Sequence, residues 1–212
     1  MHRIVLIGPP ASGKGTQCKR IESLLGVPTL GTGNLLRREV ESGSDLGQEV
    51  DGYLSKGAYV PDGLIMRLVQ SWMAEHGEAG WLLDGFPRTL AQAQALESDS
   101  GFQAPSLAIA LDVPQAVLEG RINNRRECSE CGATFSVVNG TMDICPDCGG
   151  ALVSRADDDL ENFRARYANY RDLTQPLFDY YAAQGKLLVV DGTASPDDVY
   201  SVIENHLTQE VS

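Results

Sequence analysis

Arg3-Ile-Val-Leu-Ile7-Gly8-Pro9-Pro10-Ala11-Ser12-Gly13-Lys14-Gly15-Thr16 is the stretch on which the fold turns. A short apolar strand, residues 3–7, runs into a glycine-rich turn, residues 8–13, and then into a helical pattern from 14 to about 25. G-x-x-x-x-G-K in that setting, first glycine after a strand and lysine opening a helix, reads as a phosphate loop. The glycines let backbone N–H groups curl around an anion, and the helix N-terminus adds partial positive charge. Lys14 is long enough to reach the β and γ phosphates of a bound nucleotide. Gly15 stands where such loops usually carry the hydroxyl that holds magnesium, with Thr16 following.

Outward from the loop, further short apolar runs at 27–30, 81–83, 107–111 and 187–190 alternate with helical patterns. That alternation predicts a three-layer α/β/α domain, a five-stranded parallel sheet with helices on both faces. The run at 81–83 ends on Asp84, an acid suited to orienting water-coordinated magnesium; a strand-end Asp capping the next turn is the competing reading. Residues 32–60 read as short helices, and residues 127–154 carry little helical periodicity. Both are expected to be insertions over the ligand edge of the sheet. A last helix, 197–207, is begun by Ser195-Pro196.

Composition bounds the partners. The 212 residues, 42% of them hydrophobic, suffice for one main core with small insertions. A net charge of -12 argues against a broad nucleic-acid surface, which must neutralise many phosphates. Four lysines stand against thirteen arginines, so anion binding rests mostly on planar guanidinium forks. No window approaches the roughly 18 apolar residues of a membrane span, and residues 1–6 lack the apolar run of a secretory signal, which makes the cytoplasm the default compartment. No oligomerisation stripe is evident, and a monomer is expected.

Four of the five cysteines form Cys128-x2-Cys131-x13-Cys145-x2-Cys148, the pattern of a closed tetrahedral zinc site, with a redox dithiol or reduced core cysteines as alternatives. Cys18 stands alone on the helix after the loop and reads as a packed small side chain. Residues 127–154 contain no Lys or Arg, while Arg125, Arg126 and Arg155 stand just outside both ends. A nucleic-acid ribbon would be basic. This one reads instead as a rigid flap whose hinges carry cations.

Gly8-Pro-Pro-Ala-Ser-Gly-Lys-Gly-Thr16-Gln17, Thr32-Gly-Asn-Leu-Leu-Arg37 and Asp84-Gly-Phe-Pro-Arg88-Thr together resemble the signature set of the adenylate kinase family. Arg121-Ile-Asn-Asn-Arg125-Arg126, Arg155-Ala-Asp-Asp158 and Arg166 are similar to that family's lid-flanking arginines, so the resemblance spans nearly the whole chain. It implies reversible phosphoryl transfer, ATP plus AMP giving two ADP, with structural zinc in the lid and magnesium accompanying ATP. It implies a core domain of residues 1–30, 61–123 and 158–212, an AMP-binding insertion of residues 31–60, and a zinc-binding lid of residues 124–157. Carried over by position, Ala11, Ser12, Gly13, Lys14, Gly15, Thr16, Arg125, Thr134, Phe135 and Ala194 would hold ATP. Thr32, Arg37, Ala58, Tyr59, Val60, Gly85, Arg88, Gln92, Arg155 and Arg166 would hold AMP. Two positions depart from the family pattern: Ala11 replaces a loop glycine, and Asn34 replaces an aspartate whose charge balances a nearby cation.

The implied acceptor is a phosphate oxygen, already anionic at neutral pH, so the chemistry needs no general base. His2, His76 and His206 accordingly fall outside every motif. What it needs is cationic charge and in-line positioning, from Lys14, Arg88, Arg125, Arg155 and Arg166, with Asp84 for the metal. Arg155 and Arg166 are eleven residues apart, which on one helix would place them about three turns along a shared face. A kinase for UMP, CMP or GMP, and a non-catalytic phosphate-loop and zinc-ribbon binding module, are the alternatives.

Overall fold

The computed structural model describes residues 2–76, 79–98, 102–137, 142–155 and 158–209. In chain order the elements are β1 (Arg3–Ile7), α1 (Lys14–Leu25), β2 (Thr29–Gly31), α2 (Thr32–Ser42), α3 (Asp45–Leu54), α4 (Asp62–His76), β3 (Trp81–Asp84), α5 (Leu90–Ser98) and β4 (Leu107–Asp112). There follow α6 (Gln115–Asn123), β5 (Arg125–Cys128), β6 (Thr134–Ser136), β7 (Leu152–Val153), α7 (Leu160–Asn169), a π-helical segment (Tyr170–Thr174), α8 (Leu177–Ala182), β8 (Leu187–Asp191) and α9 (Pro196–Gln209).

Five strands pair in parallel in the order β2-β3-β1-β4-β8, as the alternating pattern predicts. Because successive side chains of a strand point to opposite faces, β1 feeds two separate cores. Val5 and Ile7 pack with Trp81, Leu83, Ala108 and Ala110 against apolar residues of α2 to α5 and α8. Ile4 and Leu6 pack with Leu82, Ile109 and Leu111 against Ile21 of α1 and Val199, Ile203 and Leu207 of α9. Burial on both faces is why these strands read as unbroken apolar runs rather than as alternating ones.

Expected and observed starts differ at one strand for a definite reason. β2 begins at Thr29, not at 27, because Pro28 has no N–H to give; its carbonyl still accepts from Leu82 N at 3.0 Å. The last helix begins at Pro196, where Ser195 Oγ accepts from Asp198 N at 3.2 Å as an N-cap.

Two segments interrupt the strand and helix alternation. α2 and α3 stand between β2 and α4. β5, β6 and β7 form a separate antiparallel sheet, in the order β6-β5-β7. Ala156 and Asp157, in the middle of the Arg155–Asp158 motif and at the expected lid boundary, lie outside the described residues. One expectation is overturned: α7 starts at Leu160, so Arg155 precedes the helix that carries Arg166 and the two share no helical face.

Candidate active site

β1 ends at Ile7 and delivers the loop of residues 8–13 to the N-terminus of α1. No side chain caps that helix: Gly13, with φ 96°, occupies the cap position, and Thr16 N and Gln17 N turn back to Gly13 O at 3.1 and 3.2 Å. An uncapped helix start presents its amides to an anion. Lys14 Nζ lies across the loop, donating to Gly8 O at 2.7 Å and Pro9 O at 2.9 Å. Burial pulls its pKa down from 10.5 to about 8, Asp84 pushes it up, and Arg88, Arg166 and Arg125 push it down. Five charged side chains named from sequence thus share one field.

Ala11 is the sole described non-glycine residue with a left-handed backbone, at φ 63°. The departure read from sequence therefore falls on a position whose geometry favours glycine. An L-residue in that conformation pays roughly 1–2 kcal/mol, whereas the methyl group, half-buried against Val113, Leu118, Ile122 and Phe163, returns less than about 0.8 kcal/mol. Ala11→Gly is expected to raise stability by up to about 1 kcal/mol while leaving phosphoryl transfer intact. A lower urea midpoint, or loss of activity, contradicts this.

Two adjoining clefts open at this edge of the sheet. Gly8, Pro10, Lys14, Arg166, Tyr170 and Thr174 line the first; Thr32, Leu36, Val60, Ile65 and Gln92 line the second; Tyr59, Gly85 and Arg88 belong to both. Arg88 is held at the junction: its Nε donates to Gly85 O at 2.7 Å and its Cζ lies 5.1 Å from the centroid of the Tyr59 ring. Gly85 has φ 77°, and a Cβ there would stand 3.1 Å from both Arg88 Nη2 and Thr32 Oγ1, so only glycine fits. Thr32 Oγ1 donates to Gly85 O at 2.9 Å. Arg37 joins this group, since the Cβ position of Gly33 is 3.5 Å from Arg37 Nη1 and 3.9 Å from Arg88 Nη2. Arg37 Nη2 donates to Asn34 Oδ1, which identifies the cation that Asn34 faces without a charge of its own.

The small sheet approaches the start of α1. Thr134 Oγ1 is 3.6 Å from the Cβ position of Gly15. Phe135 follows it on β6 and pairs across to Arg126. The turn after β8 that contains Ala194 lies beside the phosphate loop, with Ser12 O 3.5 Å from the Cβ position of Gly192. Ala58 lines neither cleft, unlike its neighbours Tyr59 and Val60.

Sequence reading passed over three groups. Asp158, its side chain 2% exposed, accepts from Arg125 Nε at 2.5 Å and from Arg125 Nη2, and lies 3.8 Å from Arg166 Nη1. It fixes two guanidinium groups at once; its place between Arg155 and Arg166 was the available signal. Thr174 Oγ1 donates to Arg88 O at 2.8 Å and shares a 2.9 Å hydrogen bond with Tyr59 OH. Asp62 accepts from Gln92 Nε2 at 2.6 Å and from Thr89 Oγ1 at 3.0 Å. Arg155 pairs with Glu127 of β5.

The four cysteine sulfurs of the small sheet lie within 4.8 Å of one another, and the Cys128–Cys148 and Cys131–Cys145 separations are 3.4 and 3.7 Å. A tetrahedron with metal–sulfur bonds of 2.3 Å has edges of about 3.8 Å, so the cluster is sized for one metal ion. Backbone N–H groups of Cys131 and Glu130 aim at Cys128 Sγ and pull its pKa down against desolvation, while, against an N–H bond from Gly150, the Cys128 and Cys131 side chains push the Cys148 thiol up. Cys18 is buried, and burial, then Asp84 and Glu22, push its thiol far up, leaving it inert as its isolation suggested.

A family model for adenylate kinase matches residues 6–186. The adenylate kinase of Thermodesulfovibrio yellowstonii is 41% identical over 207 residues, covering 95% of this chain and 96% of that protein. That of Gloeobacter violaceus is 41% identical over 216 residues, covering 97% and 98%, and that of Methanosarcina acetivorans 39% over 203 residues, covering 93% and 94%. With its phosphate loop, paired clefts and converging arginines in one parallel α/β domain, the chain belongs to the adenylate kinase family.

Proposed function

We propose that the first cleft holds ATP and the second AMP, phosphates toward each other at Arg88, and that the protein moves the terminal phosphoryl group between them to give two ADP. The observation that carries this is the sharing of Tyr59, Gly85 and Arg88 by the two clefts, which makes Arg88 the one guanidinium among the described residues that borders both. Residues 31–60 then form the AMP-binding insertion, residues 124–157 the lid, and the rest the core.

On the ATP side, the amides of Ala11, Ser12, Gly13, Gly15 and Thr16 cradle phosphate oxygens with Lys14, while Thr134, Phe135 and the backbone at Ala194 enclose the nucleoside. On the AMP side, Arg37 and Arg88 meet the phosphate, and Thr32, Ala58, Tyr59, Val60, Gly85 and Gln92 surround the nucleoside. Arg125, Arg155 and Arg166 add charge as the lid closes. Burial, and after it Arg88, Arg166 and Arg125, pull the pKa of Lys14 down, and an incoming anion favours its charged form again. None of the three histidines lines either cleft, which suits a transfer needing charge and alignment rather than proton abstraction. Closure excludes water that would otherwise accept the phosphoryl group.

Zinc held by Cys128, Cys131, Cys145 and Cys148 is structural, since four thiolates leave no open position. Asp84 and Thr16 offer oxygen ligands of the kind magnesium takes while keeping several waters, and magnesium supplies neutralising charge on the ATP phosphates. The cytoplasm is the compartment in which these cysteines stay reduced, and no helix among the described residues is long and apolar enough to cross a membrane. The net charge of -12 disfavours nucleic acid as a partner. Both clefts are completed within one chain, which supports a working monomer.

The test is a coupled assay of ADP formation from ATP with AMP, GMP, CMP or UMP. AMP is expected to be the preferred acceptor. Preference for a pyrimidine acceptor overturns the base assignment, and absence of ADP from ATP plus AMP overturns the reaction.

A further inference from the structure

Gln92 is 3% exposed and reaches the second cleft from the first turn of α5. A glutamine amide is nearly symmetric in shape, and left alone it can rotate half a turn to exchange its donor and acceptor ends. Here both ends are committed. Oε1 accepts from Arg88 N at 2.7 Å, and Nε2 donates to Asp62 Oδ1 at 2.6 Å. A backbone N–H only donates and a carboxylate only accepts, so a reversed amide would set N–H against N–H and oxygen against oxygen. Asp62 is itself anchored: its other oxygen accepts from Thr89 Oγ1 at 3.0 Å, and Thr89 Oγ1 accepts from Gln92 N at 3.2 Å. The carboxylate therefore ties the start of α4 to the start of α5 and to the amide between them.

Each end of that amide keeps one further hydrogen-bonding position, a lone pair on Oε1 and an N–H on Nε2. The Watson–Crick edge of adenine offers the complement, a donating 6-amino group beside an accepting N1. A 6-oxopurine offers the reverse, an accepting O6 beside a donating N1–H. We propose that Asp62 is a specificity-determining residue: by holding the Gln92 amide in one orientation, it makes the acceptor cleft read adenine and reject 6-oxopurine monophosphates. This rests on the reading above that the base of AMP lies at Gln92.

Inosine monophosphate is the sharpest probe, because its base differs from adenine only at the 6-substituent and the N1 proton. Asp62→Asn keeps the size of the side chain but replaces an obligatory acceptor with an amide that either donates or accepts, so that only Arg88 N–H still opposes a turn of Gln92. The expected result is at least a tenfold fall in the ratio of kcat/KM for AMP to that for IMP, with the IMP value rising in absolute terms. A residue that merely braces the two helices would lower both values together, and an unchanged ratio overturns the proposal. Asp62→Ala removes the clamp without introducing a new amide, and carries the same test should the Asn variant fold poorly. Gln92→Leu separates the two readings. If it leaves KM for AMP unchanged, the base does not lie at Gln92 and the assignment of the cleft fails. If it raises that KM tenfold while Asp62→Asn leaves the ratio unchanged, the clamp alone fails.

Discussion

Arg88→Ala is expected to lower kcat for ADP formation by about a thousandfold or more, the range seen when a guanidinium that neutralises transferring phosphoryl charge is lost. Two contacts and a position make the effect large. Nε is engaged with Gly85 O and the guanidinium is stacked on Tyr59, so the fork waits in place and little ordering entropy is left to lose at the transition state. Its position at the junction puts it beside both donor and acceptor phosphates in the proposed arrangement. The fold does not depend on it in the same way. Arg88 N and O, which hold Gln92 Oε1 and Thr174 Oγ1, remain in the alanine variant. Removing the guanidinium also relieves Lys14 of a like charge. Thermal unfolding is therefore expected to shift by only a few degrees. Arg88→Lys is expected to recover little activity, since an ammonium cannot bridge two oxygens as a planar fork does. A near-normal kcat in the alanine variant refutes the role assigned to Arg88.

The sheet was legible because parallel strands buried on both faces leave continuous apolar runs, and all five were visible in the chain. The phosphate loop and the cysteine pairs were legible because their function lives in short spacings along the chain. What escaped were relations between distant segments. Asp62 and Gln92 are thirty residues apart in sequence, and nothing in either neighbourhood announces that one carboxylate holds the other's amide. Thr174 reaches Arg88 from a segment where Gln175 N bonds to Tyr170 O, five residues back; that extra residue per turn shifts the facing of every side chain beyond it. A helix read at ordinary pitch misplaces them. The same kind of error placed Arg155 on a helix with Arg166, because spacing was read without the helix start: Asp159 accepts from Asn162 N at 2.8 Å as the N-cap, and α7 begins only after it. The Ala11 and Asn34 departures were legible as substitutions, but their physical content, a strained φ and a neutral partner for Arg37, belongs to the three-dimensional arrangement.

Loss of the proposed zinc is expected to melt the small antiparallel sheet, the proposed lid, while leaving the parallel sheet folded. Among the described residues the small sheet has almost no core of its own: Cys128, Ala133, Cys145 and Leu152, with Phe135 alongside, are its buried apolar cluster, and two of those five are proposed zinc ligands. A cluster of that size supplies far less than the roughly 10–16 kcal/mol that a structural zinc contributes at neutral pH. The tie of this sheet to α1 is weak by comparison. Lys19 of α1 meets Asp147 at 3.7 Å, but both side chains are about half exposed, and such a pair contributes at most about 1 kcal/mol. Protein purified without chelator is expected to contain one zinc per chain, and Cys145→Ser to contain much less. Glu-C protease reports the local state, because Glu127 and Glu130 are its targets in this segment and Glu127 is held by Arg155. In the variant these bonds become readily cleaved, while far-ultraviolet circular dichroism of the rest of the chain is retained. Turnover is expected to fall with them, since Arg125 is positioned by the same sheet and the water barrier goes with it. Zinc-free protein with full activity and a protease-resistant lid contradicts the structural role, whereas a variant that unfolds throughout would show the lid and the parallel sheet to be one cooperative unit.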